Sequence, residues 1–350
     1  MAHIAAVDVA VPPHAYKQAD ITAQLVGRLA SDDATRSVIE RVHQATGVAT
    51  RHLALPLEDY LELDSFTRAN ELYAEHALPL IVTAATRALT TAGLEADDVD
   101  MVFLTTVTGL GAPSLDVALH KALGLRPDVK RTPSFGLGCV AGASGIARVA
   151  DYLAGHPTGV ALVVSVELCS LTIQWDDTAM ANIVGTGLFG DGAAVAVMVG
   201  SEHDKASGPL VLGSQSSLYP DSEEMIGWRI GSTGFRLMLQ AGVPAMIDGH
   251  FRQDVDRFLQ RLGKSRSDIS TWIAHPGGPR ILESFSEALE LEPADLSTSW
   301  EVMAEVGNLS SAGVLHVLAK QWDQPAGSLG LLFALGPGIS AEVVALEWPA

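Results

Sequence analysis

The stretch "FGLGCVAGASG", residues 135–145, sets a cysteine between glycines at the mouth of an apolar helical segment. The chain has 350 residues and only two cysteines, so the placement asks for a reason. Two readings are open. Free cysteine is among the most buried residue types and fills small core gaps. A helix N-terminus also favours thiolate over thiol, which makes the same residue a nucleophile.

Working outward, short apolar runs at "VDMVFLTT" (99–106), "GVALVVSVEL" (159–168) and "AAVAVMVG" (193–200) predict buried strands. Helical segments, "HALPLIVTAATRALTTAGL" (76–94) and "AGASGIARVADYLAG" (141–155), lie between them. Alternation of this kind implies an α/β architecture with a largely buried sheet. The polar stretch "GSEHDKASGP" (200–209) reads as a seam, giving halves of residues 1–203 and 204–350.

The two halves echo each other. "ADDVDMVFLTT" (96–106) matches "RSDISTWIAHP" (266–276), with Asp98 against Asp268, an offset of 170. "LGCVAGASGIARV" (137–149) matches "VGNLSSAGVLHVL" (306–318) with Gly138 against Gly307, an offset of 169. "FGDGAAVAVMV" (189–199) has a weaker counterpart in "LGPGISAEVVAL" (335–346). Three matches in one order suggest a duplicated unit, a pseudo-symmetric body in which two helix mouths face each other. Cys139 then falls opposite Asn308, and His275 ends a strand equivalent to the one ending near Thr105 and Thr106.

Cys139, His275 and Asn308 suit acyl transfer. A thiolate attacks a thioester, with an imidazole in hydrogen-bond reach to stabilise it as an ion pair. His and Asn donors suit the oxyanion that builds when a malonyl thioester loses carbon dioxide. Read singly, His275 in "AHPGGPR" is also a plain turn residue, and Asn308 also a helix cap. Cys169, in "SVELCSLT", lacks the helix-mouth setting.

Composition narrows the class. Hydrophobic residues make up 48% of the chain and the formal net charge is −19, which argues against nucleic acid or an anionic membrane as the partner. Two cysteines make no disulfide framework, and no Cys/His cluster has zinc-ligand spacing. No apolar stretch is long enough to span a membrane and the start shows no secretory pattern, so a cytoplasmic location without membrane insertion is the expectation.

The motifs "GCVAG", "GLFGDGAA", "AHPGGPRIL", "GNLSSA" and "ALGPGISAE" occur in the order found in type III polyketide synthases, and the chain resembles that chalcone-synthase-like family over nearly its whole length. The resemblance implies a thiolase-like fold in α-β-α-β-α layers, a homodimer, and a triad of Cys139, His275 and Asn308. It implies iterative condensation of malonyl-CoA onto an acyl-CoA starter, then cyclisation, with no cofactor because CoA thioesters are the substrates. Phe189 and Phe235 match the family's residues at the junction of the CoA tunnel and cavity. Arg41 is the basic residue retained where plant enzymes meet CoA phosphates, Val38 and Ala45 having replaced others. Around the cavity, Val107 and Cys169 stand where plant enzymes have threonine, Ile226 replaces a glycine, and Glu167, Thr172 and Ser310 are kept. Ala112 stands where a methionine crosses the plant dimer interface. These choices are similar to the bacterial branch making alkylpyrones and alkylresorcinols, which implies a medium- or long-chain fatty acyl starter. The alternative is an initiating ketoacyl synthase of fatty-acid synthesis (the ketoacyl-ACP synthase III type), which shares fold and triad but normally docks an acidic carrier protein.

Overall fold

The computed structural model describes residues 1–349. Its strands are β1 Ala2–Ala10, β2 His14–Lys17, β3 Thr50–Leu53, β4 Met101–Thr105, β5 Lys130–Ser134, β6 Val160–Leu168, β7 Asp191–Gly200, β8 Leu210–Leu218, β9 Ile226–Gly231, β10 Gly234–Leu239, β11 Thr271–Ala274, β12 Leu329–Gly336 and β13 Ser340–Glu347. Nine of them form one sheet in the order β11-β12-β13-β8-β1-β7-β6-β4-β5. The halves meet where β1 and β8 pair through only two residues each, Ala2 with Val211 and His3 with Leu210.

Outward from that seam, the halves repeat. β1-β7-β6-β4 and β8-β13-β12-β11 each run antiparallel, antiparallel, then parallel; β5 extends only the first. The entry to the fourth strand is copied too. Glu95 with Asp98 and Ser265 with Asp268 form capping boxes just before β4 and β11.

The strands are buried on both faces, which is why they read as continuous apolar runs. Along β6, Leu162, Val164 and Val166 pack into one apolar cluster while Ala161 and Val163 pack into another. β12 does the same, with Leu331 and Phe333 on one side and Leu332 and Ala334 on the other. The middle cluster joins both halves through two central helices, Ala141–Ala154 and Gly313–Lys320. Outer helices, including Phe66–Ala92, cover the remaining faces, which yields five layers. Among the described residues no helix is long and apolar enough to cross a membrane.

Close approach at the centre requires glycine. A Cβ on Gly142 would lie 2.3 Å from Ser311 O, and one on Gly145 2.7 Å from Val163 Cγ1. Polar contacts add to this junction: Ser144 and Arg148 both donate to Glu342 of β13, a carboxylate otherwise sealed in the core.

Candidate active site

Each central helix is entered through a tight turn, Gly138–Val140 and Ser310–Ala312. These turns pack against each other at the pseudo-symmetry centre. Their offset is 172, so Cys139 corresponds to Ser311 and Gly138 to Ser310. Matching Cys139 with Asn308 on sequence was three residues out of register, because the apolar helix pattern aligned better than the turns. Gly138 has φ +56, and a Cβ there would lie 2.6 Å from Pro337 Cδ. Only glycine fits the approach to Cys139.

Asn308 lies just before the second turn. Its Oδ1 accepts the Ser310 N–H at 2.8 Å and its Nδ2 donates to Gly277 O at 3.2 Å. It thus closes a local Asx turn ahead of the helical turn, while one amide proton stays uncommitted. His275 follows β11 directly; its N–H donates to Phe333 O at 2.9 Å. The imidazole lies against Gly313, where a Cβ would come 3.0 Å from Nδ1. Both ring nitrogens are buried and unpartnered among the described residues.

The hydrogen-bonded thiolate–imidazolium pair expected from the sequence is not formed. Sγ of half-buried Cys139 instead donates to Ser310 Oγ at 3.7 Å. Burial pushes the thiol up to about 12, and the nearby Glu167 carboxylate adds to that rise. Smaller pulls downward come from the Ser310 hydroxyl, the residue's own amide and Asn308. Burial also holds His275 down to about 3. Desolvation thus acts on both groups toward their neutral forms, against the pull of the helix mouth on the thiol.

Glu167 is fully buried and behind the turns rather than open to substrate. Its Oε2 accepts from Val107 N at 3.0 Å, Thr108 Oγ1 at 2.8 Å and Thr106 Oγ1 at 3.3 Å, and its Oε1 from Ser311 Oγ. Burial raises this carboxyl despite those donors. Ser165 and Ser311 bond each other at 2.6 Å, which ties β6 to the second turn.

A partly open pocket of about 60 Å³ lies beside this centre, lined by Cys169, Thr172, Phe189 and Phe235 together with Tyr60, Trp175 and Trp228. Val107, Glu167, Ile226 and Ser310 are not on its wall. Phe235 packs on Trp228 and Phe66, with ring centroids 5.9 Å and 5.2 Å apart. The three further aromatics escaped sequence reasoning, since only long-range packing brings them together. A buried polar set behind the wall was missed as well. Asp191 accepts from Ala54 N and from the amide and hydroxyl of Ser170, and Tyr60 OH meets Ser170 Oγ. Burial raises Asp191 to about 6. Arg51 donates to Gln18 Oε1 at 3.0 Å and to Phe189 O at 2.8 Å.

Arg41 is exposed on the helix Asp33–Ala45, with no ion-pair partner among the described residues. Ala112 lies in an exposed loop beside a surface depression of about 840 Å³ that Leu110, Tyr73 and Phe135 also border. Leu110 is 40% exposed and Phe135 42%.

Known proteins resemble the chain end to end. The N-terminal domain of the chalcone and stilbene synthases matches residues 1–203 and their C-terminal domain residues 210–348. A 1,3,6,8-tetrahydroxynaphthalene synthase of Streptomyces peucetius is 47% identical over 350 residues, 99% of this chain and 93% of that one. An alpha-pyrone synthesis polyketide synthase-like protein of Mycobacterium tuberculosis is 33% identical over 346 residues, 95% of this chain and 87% of that one. The crystal structure of 1,3,6,8-tetrahydroxynaphthalene synthase from Streptomyces coelicolor superposes with a TM-score of 0.92 at 32% identity, covering 98% of each chain. Matched in both domains and over its length, with a sheet and paired central helices that superpose on a solved member, the chain belongs to the chalcone and stilbene synthase family and is a type III polyketide synthase, an acyltransferase that forms carbon–carbon bonds.

Proposed function

We propose that Cys139 carries the growing chain, that His275 and Asn308 serve its loading and extension, and that the starter is a small acyl group, with malonyl-CoA able to fill both roles. Loading moves the thiol proton to His275 as sulfur attacks the starter thioester, and CoA leaves with that proton. The cysteine then holds the acyl group while malonyl-CoA loses carbon dioxide. Negative charge builds on the thioester oxygen, where the uncommitted Asn308 amide proton and an imidazole N–H are the donors. A neutral imidazole offers that oxygen one N–H. The enolate carbon attacks the acyl carbonyl, and the cysteine sulfur leaves. Only CoA thioesters are consumed.

One observation carries the choice of starter. The pocket lined by Phe189 and Phe235 is about 60 Å³, where one water takes about 10–15 Å³ on the same measure. Trp228, Trp175 and Tyr60 supply bulky parts of its wall, beside Cys169. A small pocket lined by aromatic rings suits a short polyketide that folds on itself into an aromatic product. The tetrahydroxynaphthalene synthases among the relatives favour the same reading. A fatty acyl starter giving an alkylpyrone or alkylresorcinol is the second reading, favoured by the similarity to the alpha-pyrone synthase-like protein. An initiating ketoacyl synthase is disfavoured by the −19 charge, which is ill suited to an acidic carrier protein.

We infer further that the face bearing Ala112, Leu110 and Phe135 meets a second copy of the chain, since exposed apolar residues border one depression there. The test of function is direct. Purified protein given malonyl-CoA alone should release CoA and yield an aromatic product by mass spectrometry. No product without lauroyl-CoA, and an alkylpyrone with it, would overturn the small-starter reading.

A further inference from the structure

Ser310 was grouped with the cavity on sequence, yet it is off the cavity wall and against the nucleophile. Its backbone has φ +47, in the left-handed region that disfavours any residue with a Cβ. The counterpart in the other half is Gly138, at φ +56, so the duplicated turn takes this conformation twice and only once with a side chain. Asn308 Oδ1 fastens the strained turn by accepting the Ser310 N–H. That conformation aims Oγ at Cys139 Sγ, 3.7 Å away, in a residue only 4% exposed. Meanwhile the His275 nitrogens are bonded to nothing among the described residues.

We propose that Ser310 is a catalytic residue whose hydroxyl switches from accepting the Cys139 S–H to donating to the Cys139 thiolate. In loading, the S–H proton passes to the His275 imidazole and the sulfur lone pair bonds the thioester carbonyl carbon. As the tetrahedral adduct collapses, the bond to the CoA sulfur breaks, and that sulfur recovers the proton from the imidazolium. Through the interval when Cys139 is anionic, a rotating Ser310 O–H satisfies it without any shift of backbone. A hydroxyl, unlike a fixed amide, serves both states, because it is donor and acceptor at once. Glycine here would relax the backbone but leave the thiolate with one donor fewer. The serine is therefore held at a cost in stability for a gain in nucleophilicity.

The inference rests on Cys139 being the acylated residue, and the test separates the two claims. Wild type, Ser310→Gly and Ser310→Ala are alkylated with iodoacetamide across pH 6–10, with the modified peptide identified by mass spectrometry. Both variants should shift the alkylation profile of Cys139 upward by about one pH unit, a roughly tenfold slower reaction at neutral pH. They should lower kcat for CoA release while leaving KM for malonyl-CoA unchanged, and Ser310→Gly should melt no lower than wild type. Profiles that superimpose on wild type in both variants overturn the role of Ser310, whatever happens to product yield. A Ser310→Gly protein that melts lower overturns the strained-serine argument. An acyl adduct found on Cys169 instead overturns the nucleophile assignment beneath it.

Discussion

The backbone of Asn308 is bridged in parallel to that of Phe189: its N–H donates to Leu188 O at 2.9 Å and its C=O accepts the Gly190 N–H at 3.0 Å. Asn308 lies just before the turn that enters the second half's central helix, and Phe189 lies on the pocket wall of the first half. A Cβ on Gly190 would lie 2.2 Å from Val306 O, against backbone that has no room to yield. Gly190→Ala should cost about 1–3 kcal/mol of stability and reduce condensation more than cysteine acylation. Thermal melts and adduct mass spectra together check this; an unchanged melt would show that the bridge does not constrain the site.

Acid should destabilise the fold through its buried histidines. Burial lowers His275 to about 3 and His43 and His316 to about 4, from an ordinary 6.5. The unfolded chain then binds more protons than the folded one between those values. Their stabilisation is complete above about pH 6.5 and is lost as pH falls toward 4. Asp191, raised by burial to about 6, and Glu167, also raised, act in the opposite sense over part of that range. Three large histidine displacements should dominate, so the melting temperature should fall steadily from pH 7 to pH 4.5. A flat or rising curve would mean that these rings are hydrated.

Arg41 is an exposed cation on the helix Asp33–Ala45, and the family resemblance points to it as a contact for CoA phosphate. Arg41→Ala should raise KM for malonyl-CoA roughly two- to fivefold with kcat unchanged, and the difference should shrink at high salt. Equal kinetics at low salt would move the phosphate site elsewhere.

Cavity size should govern the starter. Trp228→Ala removes a half-buried indole from the wall, at roughly 3 kcal/mol of stability, and should let lauroyl-CoA prime the enzyme. Comparing products from lauroyl-CoA in variant and wild type decides the point. Equal poor use of lauroyl-CoA by both would show that Trp228 does not set the limit.

Much of this architecture was legible because the physics is local. Strands such as Val160–Leu168 are apolar on both faces, so they stand out as runs, and the paired capping boxes at Asp98 and Asp268 mark the duplication in a few residues. The register of the catalytic turns was not legible. Ser310 takes a glycine conformation, and nothing in its side chain announces a positive φ. The box of Tyr60, Trp175 and Trp228 was also hidden, since its members come from three distant segments. The burial acting on the thiol was hidden for a related reason: a helix mouth is visible in sequence, but the desolvation opposing it depends on the whole fold.

The central claim is that Cys139 carries the acyl chain. It is tested most directly by intact-protein and peptide mass spectrometry of wild type and Cys139→Ala after incubation with malonyl-CoA. Wild type should carry an acyl adduct on the Cys139 peptide and the variant none, with product formation lost. An adduct or product that survives in Cys139→Ala would contradict the account.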